Sequence, residues 1–290
     1  MKDFSYWEVY NGFAEGSGRS EKIWLYNPDT GINGLFKFKK DVQTTDHISE
    51  CIAYHLAEYL HIPCAKFELG LYKGREGSFS YNIITDNSVS SLVEGINYIT
   101  NIYPDYDGEK FQDKVSGNAY SVQMIQEVTE DVFDFKDFLN MLLFDFLIGN
   151  SDRHQSNWAV ICSETGTRFS PLYDNGSSLC SYISDKQAET YLGKDLLRWK
   201  SLVDTKSKSL IRRTTNDLQR PTHLAMMKYI HDTYQAETIP MAQKIIDLSS
   251  EQIEAIVLEG SENRLSLPKK KLICKFLIAK IDLLRHIYFV

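Results

Sequence analysis

The run from Phe138 to Gly176 constrains this chain more than any other stretch of it. Phe138, Leu142 and Phe146, with Leu139, Leu143 and Leu147, recur at three- and four-residue spacing, which predicts a helix, and Gly149 stands where that helix stops. The chain must then turn, through Asp152, His154 and Asn157. Trp158 to Ile161 is a short apolar run of strand formers, Glu164 to Gly166 is a turn, and Arg168 to Tyr173 can return as a second strand. That hairpin is expected to carry Asn157 and Asp174 back to the same place. Two acids and an asparagine in a buried loop are costly without a counter-charge, so a divalent cation is their natural partner.

The spacing of Asp152 and Asn157 matches the catalytic loop of protein kinases, in which the Asp accepts the proton of the substrate hydroxyl and the Asn holds Mg2+. Asp174, Asn175 and Gly176 then stand where such kinases carry the metal-binding Asp-Phe-Gly. On these residues the chain resembles the HipA-like serine/threonine kinases, most closely their short, free-standing CtkA-type branch, over most of its length. The resemblance implies that Asp152 is catalytic, that Asn157 and Asp174 hold the metal, and that His154 supports the loop, as the family's histidine two residues after the catalytic Asp does. A zinc reading of His154 would need partners, and His47, His55, His61, His223, His231 and His286 show no ligand spacing. Arg153 is expected to pair with a nearby carboxylate.

Upstream, Trp7 to Tyr10 and Ile23 to Tyr26 read as strands flanking a loop with Gly16, Ser17 and Gly18. Such a loop can lay backbone N–H groups against phosphate oxygens, although a solvent-exposed hairpin turn has the same composition. By resemblance, Ser17 to Lys22 is similar to the Ser-Gly-x-x-x-Lys loop that covers ATP in the family, and Ser17 occupies its autophosphorylated position. Leu35 to Lys39 is a strand whose alternation is expected to put Lys37 and Lys39 on one face and Leu35, Phe36 and Phe38 near the core. The following helix repeats Ile48, Ile52, Leu56 and Leu60, with Thr45 or Asp46 as cap and Pro63 after its end. Glu50 lies off that stripe. The resemblance pairs it with Lys37, or with Lys39, the strand lysine that reaches the α- and β-phosphates; both lysines and Glu50 also fit a solvated surface.

Cys64 to Tyr72 and Ser78 to Ile84 have the content of two more strands, and a helical region begins near Ser121. Helices are expected over 192–202, 222–234, 239–248, 250–258 and 267–289, the last with Leu272, Phe276, Leu283 and Ile287 on one buried face. Met226 and Met227 read as core.

Composition excludes several classes. A net charge of −7 disfavours a nucleic-acid duplex as the main partner. Five cysteines without a Cys-x-x-Cys pair read as reduced core residues. The first residues lack a basic head followed by an apolar stretch, no run reaches a membrane span, and the mean hydropathy is −0.32, so a cytoplasmic protein with no membrane partner is expected. The fold class is α+β, a two-lobed protein-kinase-like fold: 1–90 a β-rich N-lobe over ATP, 91–290 a helical C-lobe. The implied activity is ATP- and Mg2+-dependent phosphorylation of a protein Ser or Thr, with autophosphorylation and a small antitoxin as a further partner. Two alternatives are a kinase-fold phosphotransferase acting on a small molecule or lipid, and a non-catalytic toxin–antitoxin binding module.

Overall fold

A computed structural model describes residues 1–10, 21–40, 44–84 and 90–289. The chain divides into two compact units, each discontinuous in sequence. The first joins Met1–Thr85, Pro171–Gly193 and Ser249–Lys275; the second joins Asp86–Ser170, Lys194–Leu248 and Phe276–Val290.

The first unit opens with β1 (Lys2–Asp3), β2 (Glu8–Val9), β3 (Lys22–Tyr26), β4 (Asn33–Phe38), α1 (Asp46–Tyr59), β5 (Phe67–Tyr72) and β6 (Arg75–Tyr81). Its strands form one sheet in the order β1-β5-β6-β4-β3-β2, antiparallel except for the β1–β5 pair. Strict alternation buries Phe36 and Phe38 of β4. Leu35 therefore shares the half-buried face of Lys37, and does not join the core as its apolar character suggested. One side of the sheet holds a cluster of Phe4, Trp7, Leu25, Phe36, Phe38, Tyr72 and Phe79, in which Phe4 stacks on Phe79 at 4.6 Å between ring centroids. Lys73 (φ 49°) and Gly74 (φ 77°) make a two-residue turn, both central residues being left-handed as such hairpins require, so β6 begins at Arg75 rather than at Ser78. Helix α1 buries Ile48, Ile52 and Leu56, and fully burying each such side chain contributes about 1.5–3 kcal/mol.

The second unit contains β7 (Ser91–Glu94), α2 (Gly95–Ile102), β8 (Tyr106–Asp107), β9 (Gln112–Asp113), α3 (Val122–Val128), α4 (Phe135–Ile148), β10 (Ala159–Ser163) and β11 (Gly166–Phe169). Ser121 caps α3 by accepting the Met124 N–H, where a helical region was expected to begin. The expected apolar helix is α4, all but encased: Phe138, Leu139, Leu142, Leu143, Phe146 and Leu147 are buried. Strands β7, β10 and β11 form an antiparallel sheet in the order β11-β10-β7. Strand β11 ends at Phe169, short of the expected Tyr173. The chain there passes into the first unit, where the Leu172 N–H donates to Pro63 O (2.8 Å) and Leu172 O accepts the Ala65 N–H (2.8 Å).

Five helices follow: α5 (Asp185–Leu192) in the first unit, α6 (Leu196–Lys200) and α7 (His223–Ile246) in the second, α8 (Ser250–Gly260) in the first, and α9 (Leu267–Tyr288), within which the division between units falls. The helix expected over 192–202 is two pieces. A capping box of Ser184 and Gln187 starts α5 early, Gly193 ends it, and Asp195 caps α6, which runs into a π turn at Ser201–Thr205. The helices expected over 222–234 and 239–248 are one, kinked at Tyr234 (φ −133°, ψ 37°); Pro240 supplies no N–H to the turn before it. In α9 the buried apolar residues are Leu272, Ile273, Phe276, Leu277, Ile281, Leu284 and Tyr288, so the expected Leu283 and Ile287 sit beside the stripe, as a 3.6-residue period requires. No helix among the described residues is long and apolar enough to cross a membrane.

Candidate active site

The loop after α4 is built from its helix end. Gly149 adopts φ 68°, which turns the chain, and the Asn150 N–H returns to Asp145 O (2.9 Å). A Cβ at Gly149 would stand 2.7 Å from Phe276 Cζ, so packing as well as backbone conformation selects glycine here.

Asp145, in the last turn of α4, is the anchor of the loop. Arg153 donates from Nε to Asp145 Oδ2 (2.9 Å) and from Nη2 to Oδ1 (2.7 Å), while Asn150 Nδ2 donates to Oδ1 (3.0 Å). Both ends of the ion pair are buried, and the two-pronged geometry with an added amide donor offsets the cost of removing them from water. Arg153 Nη1 reaches on to Asn157 O at 2.8 Å. The expected carboxylate partner of Arg153 is thus Asp145, which the sequence reading had not singled out. A lone acid among Leu142, Leu143, Phe144, Phe146 and Leu147 is the signal that could have found it.

Asp152 is held by its backbone and left open at its side chain. Its N–H donates to Asn150 Oδ1 (3.1 Å), and its O accepts the His154 N–H (2.8 Å) and Asn157 Nδ2 (2.9 Å). The exposed carboxylate accepts no hydrogen bond among the described residues. Arg220, which donates from Nη2 to Ser151 O (2.7 Å), is a cation in its neighbourhood. His154 accepts the Ser156 N–H on Nδ1 (3.2 Å), a contact internal to the loop. Because Asn157 commits Nδ2 to Asp152 O, its Oδ1 is oriented away and takes no hydrogen bond from a described residue.

In the first unit, three residues distant in sequence meet. Lys37 Nζ lies 2.9 Å from Asp174 Oδ1 and 3.3 Å from Glu50 Oε1. Glu50 is buried, and its Oε2 accepts the Asn175 N–H at 2.8 Å, which ties α1 to the Asp174–Gly176 segment. Lys39 points elsewhere, 3.5 Å from Glu76 Oε2. Burial works against the Lys37 charge, but the Asp174 and Glu50 carboxylates outweigh it and hold the ammonium above its usual range. Burial and the neighbouring Asp174 charge push Glu50 upward, against Lys37 and the Asn175 N–H, because two acids share one lysine. Asp174 has φ 54°, a left-handed conformation that costs an ordinary side chain about 1–2 kcal/mol.

The structure therefore gathers the expected residues as two sets: Lys37, Glu50 and Asp174 in one unit, Asp152, His154 and Asn157 in the other. Asn157 Oδ1 and the half-exposed Asp174 carboxylate are hard oxygen donors of the kind Mg2+ takes. Gly16, Ser17 and Gly18 lie outside the described residues.

The family model described as HipA-like C-terminal domain matches residues 15–238, and the chain belongs to that family. Among solved structures it is similar to the proinflammatory kinase CtkA of Helicobacter pylori, with a TM-score of 0.81 and 17% identity over 99% of this chain and 98% of that one. It is also similar to a structure of HipA from the Shewanella oneidensis MR-1 toxin–antitoxin system, with HipB and operator DNA, at a TM-score of 0.54 and 13% identity over 98% of this chain and 69% of that one. These likenesses establish the fold, and the α+β, kinase-like class expected from the sequence is the one found. The curated relative Y4dM of Sinorhizobium fredii is 24% identical over 163 residues, 53% of this chain, and the chain spans 37% of that relative's length.

Proposed function

We propose that this protein transfers the γ-phosphoryl group of ATP, with Mg2+, to a Ser or Thr hydroxyl of a protein. The observation that carries the reading is the meeting of Lys37 with Glu50, the pairing that the family resemblance implies, with Asp174 on the same ammonium. Lys37, oriented by Glu50, would hold the α- and β-phosphates. Asp152 would orient the acceptor hydroxyl and take its proton; its open carboxylate on a tightly bonded backbone suits that task. Asn157 and Asp174 would each offer the metal an oxygen. When bound, Mg2+ offsets the negative charge of the phosphates.

Support for a protein partner is more general. The Shewanella relative was solved with HipB, and a small antitoxin-like partner is proposed here on that basis. Autophosphorylation at Ser17 is proposed on the sequence position alone, and mass spectrometry after incubation with Mg·ATP checks it.

The test of the central reading is transfer of labelled γ-phosphate to protein and small-molecule acceptors, with Asp152→Asn alongside. Protein labelling that falls roughly 100- to 10,000-fold in the variant, with ATP affinity nearly unchanged by calorimetry, is the expected outcome. Labelling confined to a small-molecule acceptor would reassign the substrate class. Undiminished labelling by Asp152→Asn would remove Asp152 from the mechanism.

A further inference from the structure

Behind the Asp152 loop lies a buried chain of hydrogen bonds that the proposed mechanism does not use. It begins at Lys280 of α9, whose ammonium is fully buried between the rings of Phe146 and Phe276, 4.7 and 5.3 Å from their centroids. Lys280 Nζ donates to Ser207 Oγ at 2.9 Å. Ser207 Oγ lies 2.8 Å from His223 Nδ1, and His223 Nε2 lies 2.9 Å from Asn150 O. The His223 N–H also donates to Ser207 O (2.7 Å), so the first residue of α7 is fixed to the segment before it by side chain and backbone together.

The far end of this chain dictates its direction. A carbonyl oxygen can only accept, so His223 carries its proton on Nε2 and donates to Asn150 O. A neutral imidazole protonated there must accept at Nδ1, so Ser207 gives its hydroxyl proton to Nδ1 and takes one from Lys280. No other arrangement satisfies all four groups with a neutral ring. Burial, the Lys280 charge and the Arg220 charge all hold the His223 pKa well below its usual value, against the Asn150 carbonyl, so the ring is neutral.

Asn150 is where this chain meets the loop. Its carbonyl is held by His223, its Nδ2 by Asp145, and its Oδ1 by the Asp152 N–H. With the backbone of Asn150 fixed from α7 and its side chain fixed from α4, the amide of Asp152 has one position to bond to.

We infer that His223 is a positioning residue for the catalytic loop, set in a single tautomer by Ser207 and Lys280 so that it fixes Asn150 and, through Asn150, the backbone of Asp152. The role rests on the assignment of Asp152 as the base. It adds three residues from 207, 223 and 280 to a site otherwise made of the loop and α4. His223 touches neither nucleotide nor acceptor, so its effect falls on turnover and not on ATP affinity.

The test compares His223→Phe, which removes both hydrogen bonds, with His223→Gln, whose amide can donate to Asn150 O and accept from Ser207. Two readouts are needed: steady-state kinetics, and hydrogen exchange at the amides of Asp152, His154 and Asn157. Expected for His223→Phe are a kcat reduced roughly 100-fold, a KM for ATP within about twofold of the parent, and faster exchange at those amides. His223→Gln should recover most of both. If His223→Phe does not fold, Ser207→Ala keeps the imidazole and its bond to Asn150 O but takes away the donor that holds Nδ1, and a smaller loss of kcat with faster loop exchange is expected. Parental loop exchange in a folded His223→Phe, or in Ser207→Ala when that variant carries the test, overturns the inference. So does a Gln variant no better than Phe. The exchange arm reads the clamp even if the parent transfers no phosphate, so failure of the kinase reading and failure of the clamp are told apart.

Discussion

Lys37 is shared by two acids, and its removal exposes how much of the first unit's stability depends on that sharing. Lys37→Met leaves Glu50 buried and Asp174 beside it with no cation between them, a loss of about 3 kcal/mol. Adding Glu50→Gln removes one of the two stranded charges, and the double variant is expected to be more stable than Lys37→Met alone. Denaturant titration of the single and double variants measures the coupling; simple additivity would show that the pair is not energetically linked. The Lys37–Glu50 pairing was legible because a strand lysine and an acid early in the next helix stand in a known relation. Asp145 was legible only as a lone acid inside an apolar helix, and its arginine partner eight residues on is set by the fold of the loop. Ser207 and Lys280 were hidden for a simpler reason: contacts across 73 residues leave no local pattern.

At the scale of elements, periodicity located α1 and α4 because each repeats its apolar residues at helical spacing and has a clear terminus. It failed where tertiary contacts overrule local signals. Strand β11 stops at Phe169 since Leu172 is claimed by Pro63 and Ala65, and α7 continues past Tyr234 although its pattern lapses there. The end of α4 offers a sharp test. Gly149→Ala places a methyl group in a left-handed conformation and 2.7 Å from Phe276 Cζ. The backbone term is about 1–2 kcal/mol and the overpacking about as much again. A loss of roughly 2–4 kcal/mol on chemical unfolding is expected, with slowed turnover because the Asp152 loop begins at this residue. A variant within about 0.5 kcal/mol of the parent would mean that Phe276 moves aside and the turn is not strained.

Across the whole molecule, the composition of the two units was the least legible feature. That Pro171–Gly193 and Ser249–Lys275 pack with the first strands follows from long-range closure, as in the hydrogen bond from Lys269 Nζ to Cys180 O (2.6 Å). A global property does follow from one buried group. His223 is neutral in the folded protein, with its pKa held far below 6.5 by burial and by the charges of Lys280 and Arg220. In the unfolded chain it protonates near pH 6.5, so below that value the unfolded state binds the extra proton. Stability is therefore full above about pH 6.5 and falls as the pH drops toward the folded pKa. Melting curves between pH 8 and 5 should show this decline, and His223→Gln should flatten it; an identical slope in both would place the acid sensitivity elsewhere. The left-handed Asp174 carries a different consequence. Asp174→Gly relieves the left-handed backbone, about 1–2 kcal/mol, and forfeits a half-exposed ion pair worth about 0–1 kcal/mol, so the variant is expected to fold about as well as the parent, which chemical unfolding checks. On the proposed role of Asp174, a screen for cellular abundance would pass this substitution as harmless while a screen for phosphoryl transfer would reject it, and selection on that transfer is what would keep an aspartate in a backbone conformation that suits glycine.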